Sequence, residues 1–185
     1  MNEVPKENEL KKIKIDVEFN LLKIQDELLN YKIIEKELSN EEIEEIINNP
    51  KEILNFLKFF KLLRKDLEAK KKKILSLRDN WDGEGSVSYN EETLNRSIAF
   101  IENISKNYWK KFKLIIPIPD MFPGIDGDID IDWKIENFEL LITIPNNSEE
   151  PAGFYGDDYK ENKIKGTINQ KILDAVIIPW MKIFQ

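Results

Sequence analysis

The sequence contains no cysteine and no histidine. Without cysteine the chain has no disulfide, no thiolate nucleophile and no thiolate metal site. Without histidine it lacks the commonest general base, the imidazole metal ligand and the usual catalytic partner of serine. Arginine is also scarce, since only Arg64, Arg78 and Arg96 are present. Any catalysis must therefore depend on carboxylates, lysine, tyrosine or a metal ion bound by oxygen atoms.

Long apolar runs are absent as well. No run of apolar residues approaches the roughly 18 to 20 that a membrane span requires. The first residues lead into charged positions and not into an apolar segment, so we expect no signal peptide, no membrane partner and a cytoplasmic location. Hydrophobic residues nevertheless make up 41% of the 185 positions. That fraction predicts a packed core in a domain of ordinary size.

The net charge of −7 is distributed unevenly along the chain. Residues 51–78 carry a net +7 from 10 basic and 3 acidic side chains, whereas residues 79–160 carry −10 from 17 acidic and 7 basic ones. Two interpretations follow. The blocks neutralise one another within one fold, or one of them binds a partner of opposite charge.

The first part of the chain has the apolar spacing of helices. Apolar residues recur at steps of three and four over residues 10–31, which predicts a first helix. A capping box predicts a short second helix over 40–48. Pro50 suits the first turn of a third helix that continues to Leu77. The first and third helices are expected to pair as an antiparallel hairpin.

After a glycine-containing loop the pattern changes. A capping box that begins at Ser88 predicts a helix over 88–106, and a last amphipathic helix is predicted over 170–184 with Pro179 kinking or dividing it. Between them, alternation with a period of two predicts strands at 114–119, 127–133, 138–144, 154–159 and 164–168. We therefore predict an α+β fold with an antiparallel sheet of three to five strands packed by helices and an N-terminal helical hairpin. Residues 1–78 would form the helical arm and residues 79–185 the α+β domain.

Four short motifs lie between Ile74 and Tyr159. They are Asn80-Trp81-Asp82-Gly83-Glu84-Gly85-Ser86, Pro117-Ile118-Pro119, Asp126-Gly127 and Asp132-Trp133. In this region the chain resembles a group of small uncharacterised bacterial proteins that carry the same motifs. Such proteins look like accessory genes of mobile elements, toxin–antitoxin loci and defence loci. The resemblance implies a fold and a context, and it implies no catalytic residue.

The loop after Asn80 matches part of the calcium-loop pattern D-x-[DN]-x-[DN]-G-x₅-E. Positions 1, 3, 5 and 12 of that pattern fall on Asn80, Asp82, Glu84 and Glu91. The pattern normally has aspartate at position 1 and aspartate or asparagine at position 5, so the match is incomplete. The alternatives are a site for Ca²⁺ or another hard cation, and a glycine-rich turn that packs Trp81 into the core.

A second cluster is the alternating run of Asp126, Asp128, Asp130 and Asp132. In a strand the period of two would place all four on one face, about 6 to 7 Å apart. Such carboxylates hold Mg²⁺ or Mn²⁺ in a phosphodiesterase, here through Asp128, Asp130 and Asp132. They also bind lysine and arginine of a partner protein, or imitate nucleic-acid phosphates. The third alternative is a solvated outer face behind a buried one.

Phe56, Phe59 and Phe60 widen the apolar face of the third helix and form a candidate docking surface for a partner. Together with the aspartates they favour a non-catalytic protein-interaction or regulatory module. We expect it to control a partner protein, from the same operon, in the manner of an antitoxin or a defence accessory protein.

Two other functions are kept as alternatives. One is a Mg²⁺- or Mn²⁺-dependent phosphodiesterase, and the other is an acidic nucleic-acid mimic that inhibits a basic protein. No cofactor is expected, with Ca²⁺ or Mg²⁺ as the alternative. Nucleic acid is not an expected partner in spite of the run Lys70 to Lys73, because the whole chain is acidic and no RNA-binding aromatic motif surrounds that run. Self-association stays open.

Overall fold

The computed structural model of the protein describes residues 50–184, without the side chains of Pro50, Leu54, Gln170, Ile183 and Phe184. The predicted helices over 10–31 and 40–48, and the hairpin built on the first of them, lie outside the described residues. The chain divides into two units between Lys61 and Leu62. All five strands belong to the second unit. The predicted separation into 1–78 and 79–185 stays a prediction.

The fold is α+β, as predicted, with a five-stranded antiparallel sheet in the order β1-β2-β3-β4-β5. Each strand pairs with the strand that follows it in the chain. The strands are β1 Asp120–Pro123, β2 Ile129–Ile135, β3 Phe138–Ile144, β4 Gly153–Asp157 and β5 Lys163–Thr167. The predicted strands at 127–133, 138–144, 154–159 and 164–168 correspond to β2, β3, β4 and β5, within two residues at each end.

The predicted strand over 114–119 was wrong. These residues belong to no strand, and the edge strand β1 forms directly after them. Pro117 and Pro119 have no N–H to donate to a ladder, which disfavours pairing here. The Pro117 carbonyl instead accepts a hydrogen bond of 2.9 Å from Nε1 of Trp133. A side chain of β2 therefore holds this segment beside the sheet.

Two long helices precede the sheet. Helix α1 is Pro50–Leu75 and helix α2 is Glu91–Phe112. Helix α2 begins three residues later than predicted because its cap is Asn90 and not Ser88. The Asn90 side chain accepts a hydrogen bond of 2.7 Å from the Thr93 amide, as an N-cap does.

The C-terminal helical segment covers residues 170–184 and consists of four parts. They are an α-helical turn Gln170–Ile172, a π-helical turn Leu173–Ile177, an α-helical turn Ile178–Trp180 and a 3₁₀ turn Met181–Phe184. Pro179 has no amide N–H to bond to a preceding turn, and the division of the segment lies around it, as predicted.

One face of the sheet forms the core together with the helices. Residues of β2 and β3 that point to this face are buried, among them Ile129, Ile131, Trp133 and Leu140. Helix α2 packs on these two strands, and the C-terminal segment contacts α2 and β3. The rings of Phe138 and Trp180 lie 5.1 Å apart at this junction. The alternation in the sequence thus corresponds to a sheet with one apolar face.

Ion pairs join the basic helix α1 to the acidic residues that follow it. Arg64 contacts both carboxylate oxygens of Glu102, at 2.6 and 3.0 Å. Lys71 Nζ lies 2.7 Å from Glu91 Oε1, and Lys70 Nζ lies 3.1 Å from Asp120 Oδ1. The contrast in charge between residues 51–78 and 79–160 therefore serves, in part, to join elements of one unit.

Candidate functional site: the polar face of the sheet

The second face of the sheet is polar, and its composition follows from the strand register. The side chains on this polar face are Asp120 and Phe122 of β1; Asp130, Asp132 and Lys134 of β2; Glu139, Leu141 and Thr143 of β3; Tyr155 and Asp157 of β4; and Lys163, Lys165 and Thr167 of β5. Carboxylates predominate on β1 and β2, and lysines predominate on β5. The face therefore changes from acidic to basic across the sheet.

Only Asp130 and Asp132 of the run lie within β2, which corrects the prediction that all four aspartates share one strand face. Asp126 departs most from that prediction. It lies in the 3₁₀ turn Ile125–Gly127 with a left-handed φ of 58°. Its neighbour Asp128 follows the turn in an extended conformation and accepts a hydrogen bond of 2.7 Å from the Asn146 amide. The turn precedes β2, so the period of two in the sequence begins three residues before the strand itself.

Asp130 and Asp132 lie on β2 as predicted, but their environments differ. Asp130 Oδ1 accepts a hydrogen bond of 2.6 Å from Thr143 Oγ1 on the neighbouring strand. Asp132 Oδ1 is buried and has no hydrogen-bond partner within the part of the chain that the structure describes. Burial raises the pKa of Asp132, the negative charges of Glu139, Asp120 and Asp130 raise it further, and the positive charge of Lys134 opposes part of the rise. A cation placed beside Asp132 would stabilise its charged form.

The centre of the polar face carries two groups of paired side chains that the sequence analysis did not identify. Tyr159 donates a hydrogen bond to Glu139, whose other oxygen lies 3.1 Å from Lys134 Nζ. The hydrogen bond from Tyr159 lowers the pKa of Glu139, and the hydrogen bond and positive charge of Lys134 lower it as well. Glu139 therefore stays ionised and already has partners.

The second group surrounds Asp157, which is buried. Asp157 accepts hydrogen bonds of 2.7 Å from the Tyr155 hydroxyl and the Tyr159 amide, and Lys163 Nζ lies 2.9 Å away. The bond from Tyr155, followed by that from Lys163, lowers the pKa of Asp157. Alternation within β4 places Tyr155 and Asp157 on one face, and that pattern was the only indication of this group in the sequence.

The loop after Asn80 directs its oxygen atoms at its own backbone. The Asn80 side chain accepts a hydrogen bond of 2.8 Å from the Gly85 amide, and Asp82 accepts bonds from the Glu84 amide and the Ser86 hydroxyl. Glu91 is joined to Lys71 and not to the loop. The structure thus joins the Asp82 side chain to the backbone amide of Glu84 and pairs Glu91 with Lys71. Within residues 50–184, no group of three or more acidic side chains is arranged to hold a metal ion.

Trp81 is not packed into the core. This corrects the alternative in which a glycine-rich turn would bury the Trp81 side chain. Its side chain is 39% exposed, and its ring centroid lies 6.4 Å from that of the buried Tyr89. Positive φ angles at Asn80, Gly83 and Gly85 reverse the chain tightly enough to leave the indole at the surface.

The phenylalanines of α1 differ in exposure. Phe56 and Phe60 are only 8% and 1% exposed, and Phe59 is half-buried. Their rings form a cluster with centroids 5.6 Å apart for Phe56 and Phe60. A docking role for these residues would require the two buried rings to be uncovered first.

Comparison with protein-family models, with curated proteins and with solved structures found no match to this chain. The resemblance carried by the four motifs stays a prediction. Among the helices of residues 50–184, none has the length and apolar character needed to cross a membrane.

Proposed function

We propose that this protein is a non-catalytic interaction module that binds a basic partner protein through the acidic part of its polar face, at Asp130 and Asp132. The observation that carries the proposal is the buried, unpartnered oxygen of Asp132 among like charges. A lysine or arginine from a partner would supply the missing hydrogen-bond donor and relieve that repulsion.

The pairing of side chains at the centre of the polar face explains why we place the binding site in its acidic part. Glu139 and Asp157 already have partners from tyrosine and lysine side chains, so they offer less to an incoming cation. The hydrogen bond from the Thr143 hydroxyl already holds the Asp130 side chain in place. Asp130 therefore loses little conformational freedom when a partner binds its carboxylate. Control of a partner encoded in the same operon, in the manner of an antitoxin or a defence accessory protein, is part of the proposal.

The metal-dependent phosphodiesterase receives less support. It requires Asp128, Asp130 and Asp132 to converge on one cation, whereas Asp128 bonds to the Asn146 amide and Asp130 to Thr143. The nucleic-acid mimic differs from our proposal only in the identity of the basic partner, and the same experiment addresses it.

The test is affinity purification of the tagged protein from its native host at low and at moderate salt. We expect one stoichiometric basic partner that is lost as salt rises, because screening weakens charge pairing. The double variant Asp130→Asn with Asp132→Asn should lose this partner. The control is Glu149→Gln with Glu161→Gln, which changes the net charge equally at exposed positions outside the polar face.

Two results would overturn the proposal. One is a partner that the control and the Asp130/Asp132 variant retain equally well. The other is a purified protein without partners that hydrolyses a phosphodiester with Mg²⁺ or Mn²⁺ and loses that activity through Asp130→Asn.

A further inference from the structure

Exposed apolar side chains cluster at the end of the polar face where β1 meets the turn that follows it. Trp81 is 39% exposed, Val87 is 42% exposed and Ile125 is 81% exposed. We call these three residues the anchor patch. Phe122, which is also exposed, precedes the turn by two residues and pairs in the sheet with Asp130. Phe122 thus lies between the anchor patch and the acidic part of the polar face.

Contacts between two chain segments bring the members of the anchor patch together. The Tyr89 ring lies beside the Trp81 ring, and the Tyr89 hydroxyl donates a hydrogen bond of 2.7 Å to the Gly124 carbonyl, next to Ile125. A side chain at Gly127 would come within 3.4 Å of Val87 Cγ2. The loop 79–89 therefore packs directly on the turn 124–127.

Hydrogen bonds within the loop fix the position of Trp81. The Asn80 amide donates to the Ser86 carbonyl at 2.6 Å, and the Glu84 amide donates to Asp82 at 2.9 Å. The Ser88 amide donates to Asp79 at 2.8 Å. A segment held in this way loses little conformational freedom when it binds, which favours affinity. Tryptophan in such a setting is the side chain most enriched at energetic centres of interfaces.

The charges around the anchor patch are mostly negative, although Arg78 lines a cleft together with Asp79, Ser88 and Tyr89 of the same loop. Residues 79–89 and 124–128 contain five carboxylates and no basic residue: Asp79, Asp82, Glu84, Asp126 and Asp128. Hydrogen bonds from Ser88 lower the pKa of Asp79, and those from Ser86 and Glu84 lower the pKa of Asp82. These groups are therefore ionised at neutral pH, and the apolar surface has an anionic rim.

We infer that the anchor patch binds an apolar side chain within a cationic segment of a partner protein, whose lysine or arginine residues lie over the anionic rim. The inference rests on the proposed function and adds a second contact to it. The charge of the rim selects the occupant, because it attracts basic peptides and repels nucleic acid and anionic lipid surfaces. An isolated exposed tryptophan would need no explanation, but an apolar group in a predominantly anionic setting fits a ligand of mixed apolar and basic character.

The test is titration of the full-length, ¹⁵N-labelled protein with three short synthetic peptides of equal length. One alternates lysine with leucine, one alternates lysine with serine and one alternates glutamate with leucine. The readout is the indole N–H resonance of Trp81, which the variant Trp81→Phe identifies. We expect the lysine–leucine peptide to shift this resonance, and to bind at least about tenfold more tightly than the other two.

Variants separate the anchor patch from the rest of the surface. Trp81→Ala and Ile125→Ser should each weaken binding of the lysine–leucine peptide by about tenfold, the loss typical of an interface centre. Ile135→Ser is the control, because Ile135 is an exposed isoleucine at the far end of β2 and should not affect binding. The melting temperature of each variant shows that its fold is retained.

Failure of this inference is distinguishable from failure of the proposed function. If Asp130→Asn with Asp132→Asn abolishes peptide binding while Trp81→Ala and Ile125→Ser do not, the anchor patch is wrong and the acidic face stands. Equal binding of the lysine–serine peptide would overturn the inference, since charge alone would then suffice. A change in sedimentation of the free protein on Trp81→Ala would also overturn it, because the patch would then be an interface between copies.

Discussion

Trp180 lies against the backbone of Gly156, so closely that a Cβ atom at position 156 would be 2.8 Å from the indole Nε1. The same Cβ would be 2.8 Å from Cγ1 of Ile164 on β5. Gly156 does not have a positive φ, so the requirement for glycine here is steric. Gly156 therefore lets the C-terminal helical segment pack on the sheet.

We expect Gly156→Ala to destabilise the protein by about 1–3 kcal/mol, the usual effect of adding a methyl group to a filled space. Chemical denaturation monitored by circular dichroism measures this difference. The control is Gly153→Ala on the same strand, where the nearest atom to a new Cβ is 3.9 Å away. Equal stability of the two variants would contradict the packing described for Trp180.

Helices α1 and α2 are joined by the two-point contact between Arg64 and Glu102. Lysine cannot reproduce the planar, two-point geometry of arginine. Arg64→Lys should therefore lower the free energy of unfolding by about 0.5–1.5 kcal/mol, less than a fully buried hydrogen bond to a charged group contributes, because the Arg64 side chain is 35% exposed and solvent screens the pair. The exposed Lys72→Ala serves as a control in the same helix.

A double-mutant cycle with Glu102→Gln would assign the effect of Arg64→Lys to this pair. A coupling energy near zero would mean that the contact contributes nothing to stability, as many exposed ion pairs do.

Much of the sheet was predictable because its pattern depends on local alternation. Phe138–Ile144 alternates buried and half-buried side chains along its whole length, and the predicted strand has the same bounds. The alternation of Asp128 to Trp133 also gave the faces of β2 correctly. Local spacing could not show that Asp126 enters a left-handed turn, or that Asn90 replaces Ser88 as the cap of α2.

The arrangement of the candidate site was only partly predictable. Asp130 and Asp132 were identified from the sequence, but the partners of Glu139 and Asp157 depend on which strands are adjacent and in which register. A shift of one residue in either pairing would separate Tyr155 and Lys163 from their present neighbours. The exposure of Trp81 likewise depends on how its loop packs, which composition alone does not determine.

The raised pKa of Asp132 has a predictable effect on stability. Burial is its main cause, so the folded protein binds a proton at Asp132 more tightly than the unfolded chain does. Charging Asp132 therefore destabilises the fold as the pH rises from the ordinary aspartate pKa through the raised pKa of the folded state. Asp132→Asn removes the charge and should raise the melting temperature at pH 7.

We expect an increase of no more than about 3 °C, because solvent screens a half-buried group. The difference between Asp132→Asn and the unaltered protein should shrink as the pH falls toward 4 and below. Thermal unfolding at a series of pH values measures it. A variant that is less stable at pH 7 would show that the charged form of Asp132 has a partner in the fold.

Asn146 joins three parts of the chain. Its side-chain oxygen accepts hydrogen bonds from Asn90 and Thr93 at the start of α2, and its side-chain nitrogen donates to the Asp126 carbonyl at 3.4 Å. Asn146→Ala should lower the free energy of unfolding by about 1–2 kcal/mol through loss of these bonds. Asn147→Ala removes an exposed amide that bonds only to nearby loop residues, Glu149 and Glu150, and is the control.

Hydrogen exchange at the amides of Thr93 and Asp128 would report whether the loss is local. Unchanged protection at both sites in Asn146→Ala would show that Asn146 does not hold these segments together.

The loop after Asn80 gives a direct prediction for calcium. Its candidate ligands already accept hydrogen bonds from Gly85, Glu84 and Ser86, and Glu91 is joined to Lys71. We therefore expect millimolar Ca²⁺ to leave the melting temperature unchanged. A ligand that binds the folded state would raise it, so a rise that Asp82→Asn abolishes would establish a cation site.

The order of the strands has a consequence for the kinetics of folding. Because every strand pairs with its immediate successor, each new strand closes only a short loop onto the growing sheet, which keeps the entropy of loop closure small. Docking of α1 is different, since Lys70 reaches the Pro119 carbonyl across 49 positions of the chain. We expect the meander to form early and the contact of α1 with β1 to be among the last steps before the native state.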